Sequence, residues 1–170
     1  GDPTIGYRVL VPLSHRGDEC AVGVVYFWTV HLAVKERLLT DDGYQYDSPV
    51  WSPEGRFLVF RRRQGLSQII QARLNHGAAV DLCRMSAQGG EITNLTEKWD
   101  LIPEAPVWSA QGDVLYFGGA VGGDTHLFRM PAAGGRVQQV TSGSRSLGGF
   151  SFSQSFDRVA YSATDTTRPA

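Results

Sequence analysis

The stretch Pro49-Val50-Trp51-Ser52-Pro53-Glu54-Gly55 decides the fold, because the chain repeats it. A second copy reads Pro106-Val107-Trp108-Ser109-Ala110-Gln111-Gly112 and keeps five of the seven residues. A weaker third copy reads Phe150-Ser151-Phe152-Ser153. Strand and turn residues that return in this way predict a protein built from repeated structural units.

Each copy predicts a β-hairpin. Val50 and Trp51 favour a strand, and Ser52-Pro53-Glu54-Gly55 has the residue types of a tight turn. An apolar run follows the turn in each copy, and these runs are Phe57–Phe60, Val114–Phe117 and Arg158–Tyr161. Because the runs do not alternate between apolar and polar residues, they predict strands that are covered on both faces. The hairpins therefore belong to sheets that pack between like sheets.

A second hairpin follows in the first two units. The segments 84–91 and 129–136 each lead through a Gly-Gly pair into a short closing strand that ends at Thr96 or Thr141. Glycine supplies the positive φ that such tight turns require. Four antiparallel strands per unit predict the blade of a β-propeller.

The spacing of the repeats supports blades. Thr96 and Thr141 are 45 residues apart, and Trp108 and Phe152 are 44 apart, within the roughly 40–45 residues of a four-stranded blade. The 57 residues between Trp51 and Trp108 indicate an insertion of 12 within residues 61–80. The steps from Thr40, Thr96 and Thr141 to the next aromatic residue are 11, 12 and 11. This near-constant step predicts a common blade closure.

The sequence thus predicts an all-β propeller in the form of a partial ring of about three to four blades. Residues 1–40 are expected to form irregular strands of an eroded blade. If Tyr26-Phe27 matches Tyr116-Phe117, this unit is shorter than the later ones. Residues 41–96 form a blade with the insertion at 61–80, residues 97–141 form a regular blade, and residues 142–170 form a half blade and a polar tail.

The composition and charge of the chain limit the classes of partner that are expected. The 170 residues carry a formal net charge of −1 and a pI near 6.5, so neither a nucleic acid nor a membrane surface is expected as a partner. The apolar stretch Ala21–Val34 is too short to span a bilayer. Cys20 and Cys83 match no metal or redox spacing and are predicted to be buried free thiols.

No catalytic, cofactor or metal site is predicted. Arg61-Arg62-Arg63 either faces an acidic ligand or, as the sequence favours, forms a solvated loop face. Segment 67–74 is expected to be extra strand or a helical turn. Gly118–Asp124 lacks the lysine of a phosphate loop and predicts a flexible hairpin turn. The four histidines are not spaced in the sequence as metal ligands are; they are His15, His31, His76 and His126. His126 is expected to be a packing or rim residue. No G-x-S-x-G nucleophile motif occurs.

The repeats resemble those of TolB-like propellers and of the N-terminal propeller in prolyl-oligopeptidase-family serine peptidases. The resemblance is carried by residues 49–55, by Thr-His-Leu-Phe-Arg-Met-Pro-Ala-Ala-Gly-Gly at 125–135, and by Leu-Gly-Gly-Phe-Ser-Phe-Ser at 147–153. The last two segments are most similar to acylaminoacyl-peptidase or dipeptidyl-peptidase-like members. The resemblance extends over about Leu38–Thr167, whereas residues 1–37 match poorly. Two turns also depart from the Pro-Asp or Pro-Glu pair that is usual in these repeats, since they read Ala110-Gln111 and Gln154-Ser155.

The resemblance implies one of two functions. The first is a propeller segment that gates substrate for a peptidase and has no catalytic residue itself, with an α/β-hydrolase domain as partner and a cytoplasmic location. The second is a TolB-like module that binds protein or peptide partners, with a periplasmic location. Because two full blades leave apolar faces bare, we also expect ring closure through a homodimer.

Overall fold

The computed structural model describes residues 5–6, 9–10, 24–29, 37–65, 69–70 and 79–164, with backbone pairing alone before residue 39. The strands in these ranges are β1 (Ile5–Gly6), β2 (Val9–Leu10), β3 (Val24–Thr29), β4 (Arg37–Leu38), β5 (Gln45–Trp51), β6 (Phe57–Arg63), β7 (Val80–Ser86), β8 (Ile92–Asn94), β9 (Val107–Trp108), β10 (Val114–Val121), β11 (Asp124–Pro131), β12 (Gln138–Gln139), β13 (Ser146–Phe152) and β14 (Val159–Thr164). Within these ranges no helix is long and apolar enough to span a bilayer.

The strands form four antiparallel sheets, which are numbered here in chain order. In the first sheet, β3 pairs with β1, β2 and β4. The second sheet has the order β5-β6-β7-β8, the third has the order β9-β10-β11-β12, and the fourth consists of β13 and β14. The prediction of an all-β protein with four-stranded antiparallel units is confirmed.

The second and third sheets repeat the same register. Trp51 pairs with Leu58 in the second sheet, and Trp108 pairs with Leu115 in the third. The two tryptophans are therefore equivalent, as the repeated motif predicts. The hairpin turns also match, because the hydroxyls of Ser52, Ser109 and Ser153 each accept a backbone N–H five residues ahead, at 3.0–3.1 Å.

The closing threonines make the same hydrogen bond in the second and third sheets. The hydroxyl of Thr96 accepts the backbone N–H of Leu82 at 3.0 Å, and that of Thr141 accepts the N–H of Leu127 at 2.9 Å. Each bond fastens the end of a sheet's fourth strand to the beginning of its third. The same place in both sheets therefore holds a hydroxyl that accepts a backbone N–H.

The core lies between the sheets. Val59 of β6 packs into a cluster that includes Trp108, Leu115 and Phe128 and so joins the second sheet to the third. On the opposite face of the same strand, Leu58 and Phe60 pack in a second cluster. Strand β6 is thus covered on both faces, which confirms the interpretation of its non-alternating sequence.

The fourth sheet is exposed, as is expected of an end unit that lacks one neighbour. The sequence of Val159–Tyr161 by itself predicts a strand covered on both faces, but Ala160 is exposed and Tyr161 is 44 % exposed. Among the described residues, no further sheet packs against this hairpin in the way that the third packs against the second. The same apolar pattern is therefore buried or exposed according to whether a neighbouring sheet is present.

The first sheet corrects one sequence alignment. Tyr26 pairs with Leu38 of β4, the strand that precedes Thr40. Strand β3 is therefore the counterpart of β7 and β11, which pair with the closing strands of their own sheets. The alignment of Tyr26-Phe27 with Tyr116-Phe117 of β10 is wrong, because β10 is a second strand and β3 is a third.

Candidate functional site

The first strand of each later sheet carries a β-bulge that positions the side chains beside it. Pairing shifts by one residue between Asp47 and Val50 in the second sheet and between Gly148 and Ser151 in the fourth. In the third sheet, Val107 pairs with Tyr116 but Pro103 pairs with Gly119, which is the same shift. Bulges re-aim side chains and occur often near functional sites.

The bulge of the second sheet presents Asp47 to an arginine of the neighbouring strand. Asp47 lies opposite Arg61 in the ladder, and the Nη1 of Arg61 is 3.4 Å from the Oδ1 of Asp47. The Ser48 hydroxyl donates to the same oxygen at 2.9 Å. The Arg61 side chain is 24 % exposed, and its Nε is buried without a hydrogen-bond partner in the described chain. Asp47 thus holds a guanidinium that lies largely within the protein.

The other two arginines of the run diverge from Arg61. The Arg62 guanidinium lies 4.5 Å from the centre of the Tyr44 ring, on the opposite face of the sheet, and Arg63 is exposed. All three belong to β6 rather than to a loop. The prediction of a solvated loop face is therefore wrong for Arg61 and Arg62, and the three do not converge on one ligand.

A tyrosine–carboxylate pair lies on the Arg62 side of the second sheet. The Tyr46 hydroxyl donates to the Oδ2 of Asp42 at 2.6 Å. Burial, and then this hydrogen bond, raises the pKa of Tyr46 well above its ordinary value. Tyr46 packs edge-on against Phe60 at 5.3 Å. Because the hydroxyl is buried and bonded to a neighbour, the pair serves packing rather than proton transfer.

The third sheet has the same bulge with different side chains. Glu104 occupies the position of Asp47, four residues before the tryptophan, and its N–H donates to the Gly118 carbonyl at 2.8 Å. Gly118 stands where the second sheet has Arg61. The Glu104 carboxylate lies directly over Gly118, so that any side chain at this glycine would meet it. Among the described residues no ion pair involves Glu104.

The predicted glycine-rich turn is shorter than expected. Gly118 and Gly119 are buried and lie within β10, and only Gly122 and Gly123 form the turn, with φ of 61° and 95°. A Cβ at Gly119 would lie 2.9 Å from the Trp99 ring. The first two glycines therefore provide space beside the sheet, and the last two provide the turn.

A cleft opens between the third and fourth sheets beside Glu104. It encloses about 210 Å³. Its lining residues are Glu104, Ala105, Val107, Tyr116, Phe117, Gly118, Leu127, Gly149, Phe150 and Phe152. Four aromatic rings and one carboxylate thus surround a small space, with exposed Ala105, Val107 and Gly149 at its margin.

The aromatic wall continues into a stack of rings. Tyr116 lies 4.8 Å from Phe152, and Phe152 lies nearly parallel to Phe156 at 5.0 Å. Phe156 adopts φ of 56°, at the turn position that Gly55 and Gly112 occupy in the earlier copies. Positive φ is costly for a bulky residue. The ring contacts offset this cost and hold the fourth sheet against the third.

A larger cavity of about 560 Å³ lies between the second and third sheets. Its lining residues are Asn94, Leu95, Thr96, Glu97, Lys98, Trp99, Gly135, Arg136 and Val137. Glu97, Lys98 and Arg136 are exposed and carry opposite charges. This mixture favours no single ligand charge, whereas the smaller cleft has one carboxylate among aromatic rings. The smaller cleft is therefore the better-defined candidate site.

The remaining candidates have structural roles where they are described. His126 is buried in β11, with its Nδ1 3.5 Å from the Thr141 hydroxyl, so it is a packing residue as predicted. Cys83 is a buried free thiol, also as predicted. Burial raises its pKa to about 12. Residues 69 and 70 of segment 67–74 are helical. The predictions for Cys20, His15, His31, His76 and the rest of segment 67–74 concern positions outside the described residues.

Two solved structures of propeller proteins match this architecture. One is a TolB-like protein from Agrobacterium tumefaciens, with 21 % identity and a TM-score of 0.60 over 85 % of this chain and 47 % of that one. The other is the β-propeller domain of the Trilobed protease from Pyrococcus furiosus, with 14 % identity and a TM-score of 0.62 over 92 % of this chain and 42 % of that one. The fold is a β-propeller. Both types of propeller named by the sequence resemblance are thus among its structural neighbours.

The comparisons extend to fold and no further. No family model and no curated protein sequence matches the chain. The chain spans less than half the length of either matched structure. Within the described residues, no three side chains of His, Cys, Asp and Glu lie close enough together to hold a metal ion.

The Glu104 cleft was missed by the sequence reasoning. Gly118 was interpreted as part of a turn, and Glu104 falls outside the repeated heptad. One signal was available, because aligning the two tryptophans also aligns Asp47 with Glu104 and Arg61 with Gly118. An acidic position that keeps its charge while its cationic partner becomes glycine indicates an unfilled site.

Proposed function

We propose that this chain is a non-catalytic β-propeller segment that gates substrate access to a serine peptidase of the prolyl-oligopeptidase family. The observation that carries the proposal is the match to the propeller domain of the Trilobed protease, which extends over 92 % of this chain. The absence of a G-x-S-x-G motif from the 170 residues supports a role other than nucleophilic catalysis. The partner in this role is an α/β-hydrolase domain.

A TolB-like binding module is the second candidate. The match to the TolB-like protein of Agrobacterium tumefaciens supports it, with 21 % identity over 85 % of this chain. In this role the chain holds a protein partner and has no connection with peptidase chemistry. Both roles have one property in common, which is that the propeller binds polypeptide.

Two measurements test these functions. A fluorophosphonate probe should leave the isolated chain unlabelled, and stoichiometric labelling would show that the segment is itself catalytic. A library of blocked, unstructured peptides should contain ligands that bind the chain saturably. If no peptide binds, both polypeptide-binding roles are wrong.

The flanking parts of the gene distinguish the two roles. A G-x-S-x-G motif and a histidine encoded after this segment would identify a peptidase. A separate partner-binding domain encoded before it would instead identify a TolB-like module.

A further inference from the structure

The second sheet provides an internal template for the cleft beside Glu104. A carboxylate on the first strand, four residues before the tryptophan, faces position 61 of the second strand, where a guanidinium lies 3.4 Å away. In the third sheet the bulge, the register and the carboxylate are retained. The guanidinium is missing, because Gly118 replaces Arg61, and Ala105 replaces the Ser48 that donates to Asp47.

The surroundings of the Glu104 carboxylate, which itself lies over Gly118, suit a cation with an apolar stem. Tyr116, Phe150 and Phe152 line the cleft next to Glu104. Aromatic faces attract cations, and the methylene groups of long basic side chains cover apolar surface well. The exposed residues at the margin leave the cleft open to a side chain that arrives from another molecule.

We propose that the Glu104 cleft binds an arginine side chain of a polypeptide ligand. The guanidinium pairs with the Glu104 carboxylate, which lies over Gly118, as Arg61 pairs with Asp47 in the second sheet. Its stem lies against Phe150 and Phe152 of the fourth sheet. The inference rests on the proposed polypeptide-binding function and adds to it the residue type that the ligand presents.

Arginine fits this cleft better than lysine. The template in the second sheet is itself a guanidinium, and a planar guanidinium stacks on aromatic rings while it pairs with a carboxylate. A lysine ammonium is a compact, strongly hydrated charge that loses more hydration in an aromatic cleft. The cleft is therefore expected to bind an arginine side chain more tightly than a lysine side chain.

A peptide titration of the 170-residue chain tests the proposal. The probes are blocked pentapeptides with two glycines on each side of a central arginine, citrulline or lysine. The arginine peptide should shift the NMR amide signals of Gly118 and Gly149. Citrulline has nearly the same shape without the charge and should bind about tenfold more weakly, since it loses a charged hydrogen bond. Equal binding of the citrulline or the lysine peptide would overturn the assignment.

Two substitutions locate the binding site. Glu104→Gln should weaken binding of the arginine peptide about tenfold and leave the citrulline peptide unchanged. Glu91→Gln, at an exposed glutamate that does not line the cleft, is the matched control and should change neither. An arginine affinity that is the same in Glu104→Gln as in the unaltered chain would refute the site.

Gly118→Arg rebuilds the template of the second sheet in the third. The atoms that a new side chain would meet belong to the flexible end of Glu104, and Gly118 does not have a positive φ, so the fold should tolerate the change. The new guanidinium should occupy the cleft and abolish binding of the arginine peptide. Unfolding by urea checks that the variant is folded, and full binding by a folded variant would contradict the proposal.

This failure is distinguishable from failure of the proposed function. If library peptides bind saturably but without preference for arginine, only the assignment of the cleft is wrong. If no library peptide binds at all, the polypeptide-binding function and the cleft assignment are both wrong.

Discussion

Replacing Trp108 with alanine tests the repeat architecture directly. The side chain is 7 % exposed, lies in the cluster that joins the second and third sheets, and does not line the cleft. An aromatic side chain buries about 150–250 Å², which at about 25 cal/mol per Å² corresponds to roughly 4–6 kcal/mol. The alanine side chain still buries part of this area, so we expect the free energy of unfolding to fall by about 3–5 kcal/mol.

The hydrogen bond of Trp108 contributes little to this value. Its Nε1 donates to the Val50 carbonyl at 3.4 Å, which is longer than a typical N–H···O bond. Trp108→Phe, which retains a large ring, should therefore cost clearly less than Trp108→Ala. The loss is one of packing between two sheets.

Urea denaturation followed by far-UV circular dichroism and by the remaining tryptophan fluorescence gives the free energy of unfolding. Val107→Ala is the matched control, because Val107 precedes Trp108 in the same strand and is 37 % exposed. It should cost less than about 1 kcal/mol. A cost below about 1 kcal/mol for Trp108→Ala as well would show that the ring is not part of the interface and that the repeat alignment is wrong.

Three further predictions follow from the fold. Thr96→Val should cost about 1–3 kcal/mol in urea denaturation because it leaves the buried Leu82 N–H without an acceptor. Thr141→Val, at a half-buried position, should cost less, and a negligible cost for Thr96→Val would contradict the closure mechanism. Burial raises the pKa of Cys83 from 9.0 to about 12, so its contribution to stability should be full below pH 9 and lost as the pH rises to 12; a pH slope unchanged by Cys83→Ala would refute this. Sedimentation at micromolar concentration should give about twice 18.6 kDa if the exposed face of the fourth sheet is covered by a second copy, and a clean monomer would exclude that closure.

Local chemistry made the blades predictable. The serine of each heptad accepts a backbone N–H five residues ahead, and the glycine that ends the first two copies has a positive φ. Because these roles involve only nearby residues, they can be predicted wherever the motif returns. The third copy shows the limit of this reasoning. Phe156 takes the left-handed turn position without being glycine, because its ring stacks on Phe152 from within the assembled sheet.

The arginines of β6 show why side-chain environment could not be predicted in the same way. In sequence, Arg61-Arg62-Arg63 is a dense positive run, and such runs usually lie in solvent. Because side chains alternate along a strand, Arg61 and Arg62 lie on opposite faces of the sheet. Arg61 pairs with Asp47 there, and Arg62 lies over the ring of Tyr44. Both partners belong to the preceding segment of chain, and the pairing depends on the register of the bulged strand.

The sequence by itself determined that this protein is made of repeated four-stranded antiparallel units, because strand pattern, turn residues and closing threonines recur at nearly fixed spacing. Only the tertiary structure decided that Glu104 lies over Gly118 and beside the rings of Phe150 and Phe152. A bulge moves the register by one residue, and such a shift changes which side chains face each other. The cleft also needs two adjacent sheets to meet, and the packing of one repeat on the next is a property that neither repeat carries in its own sequence.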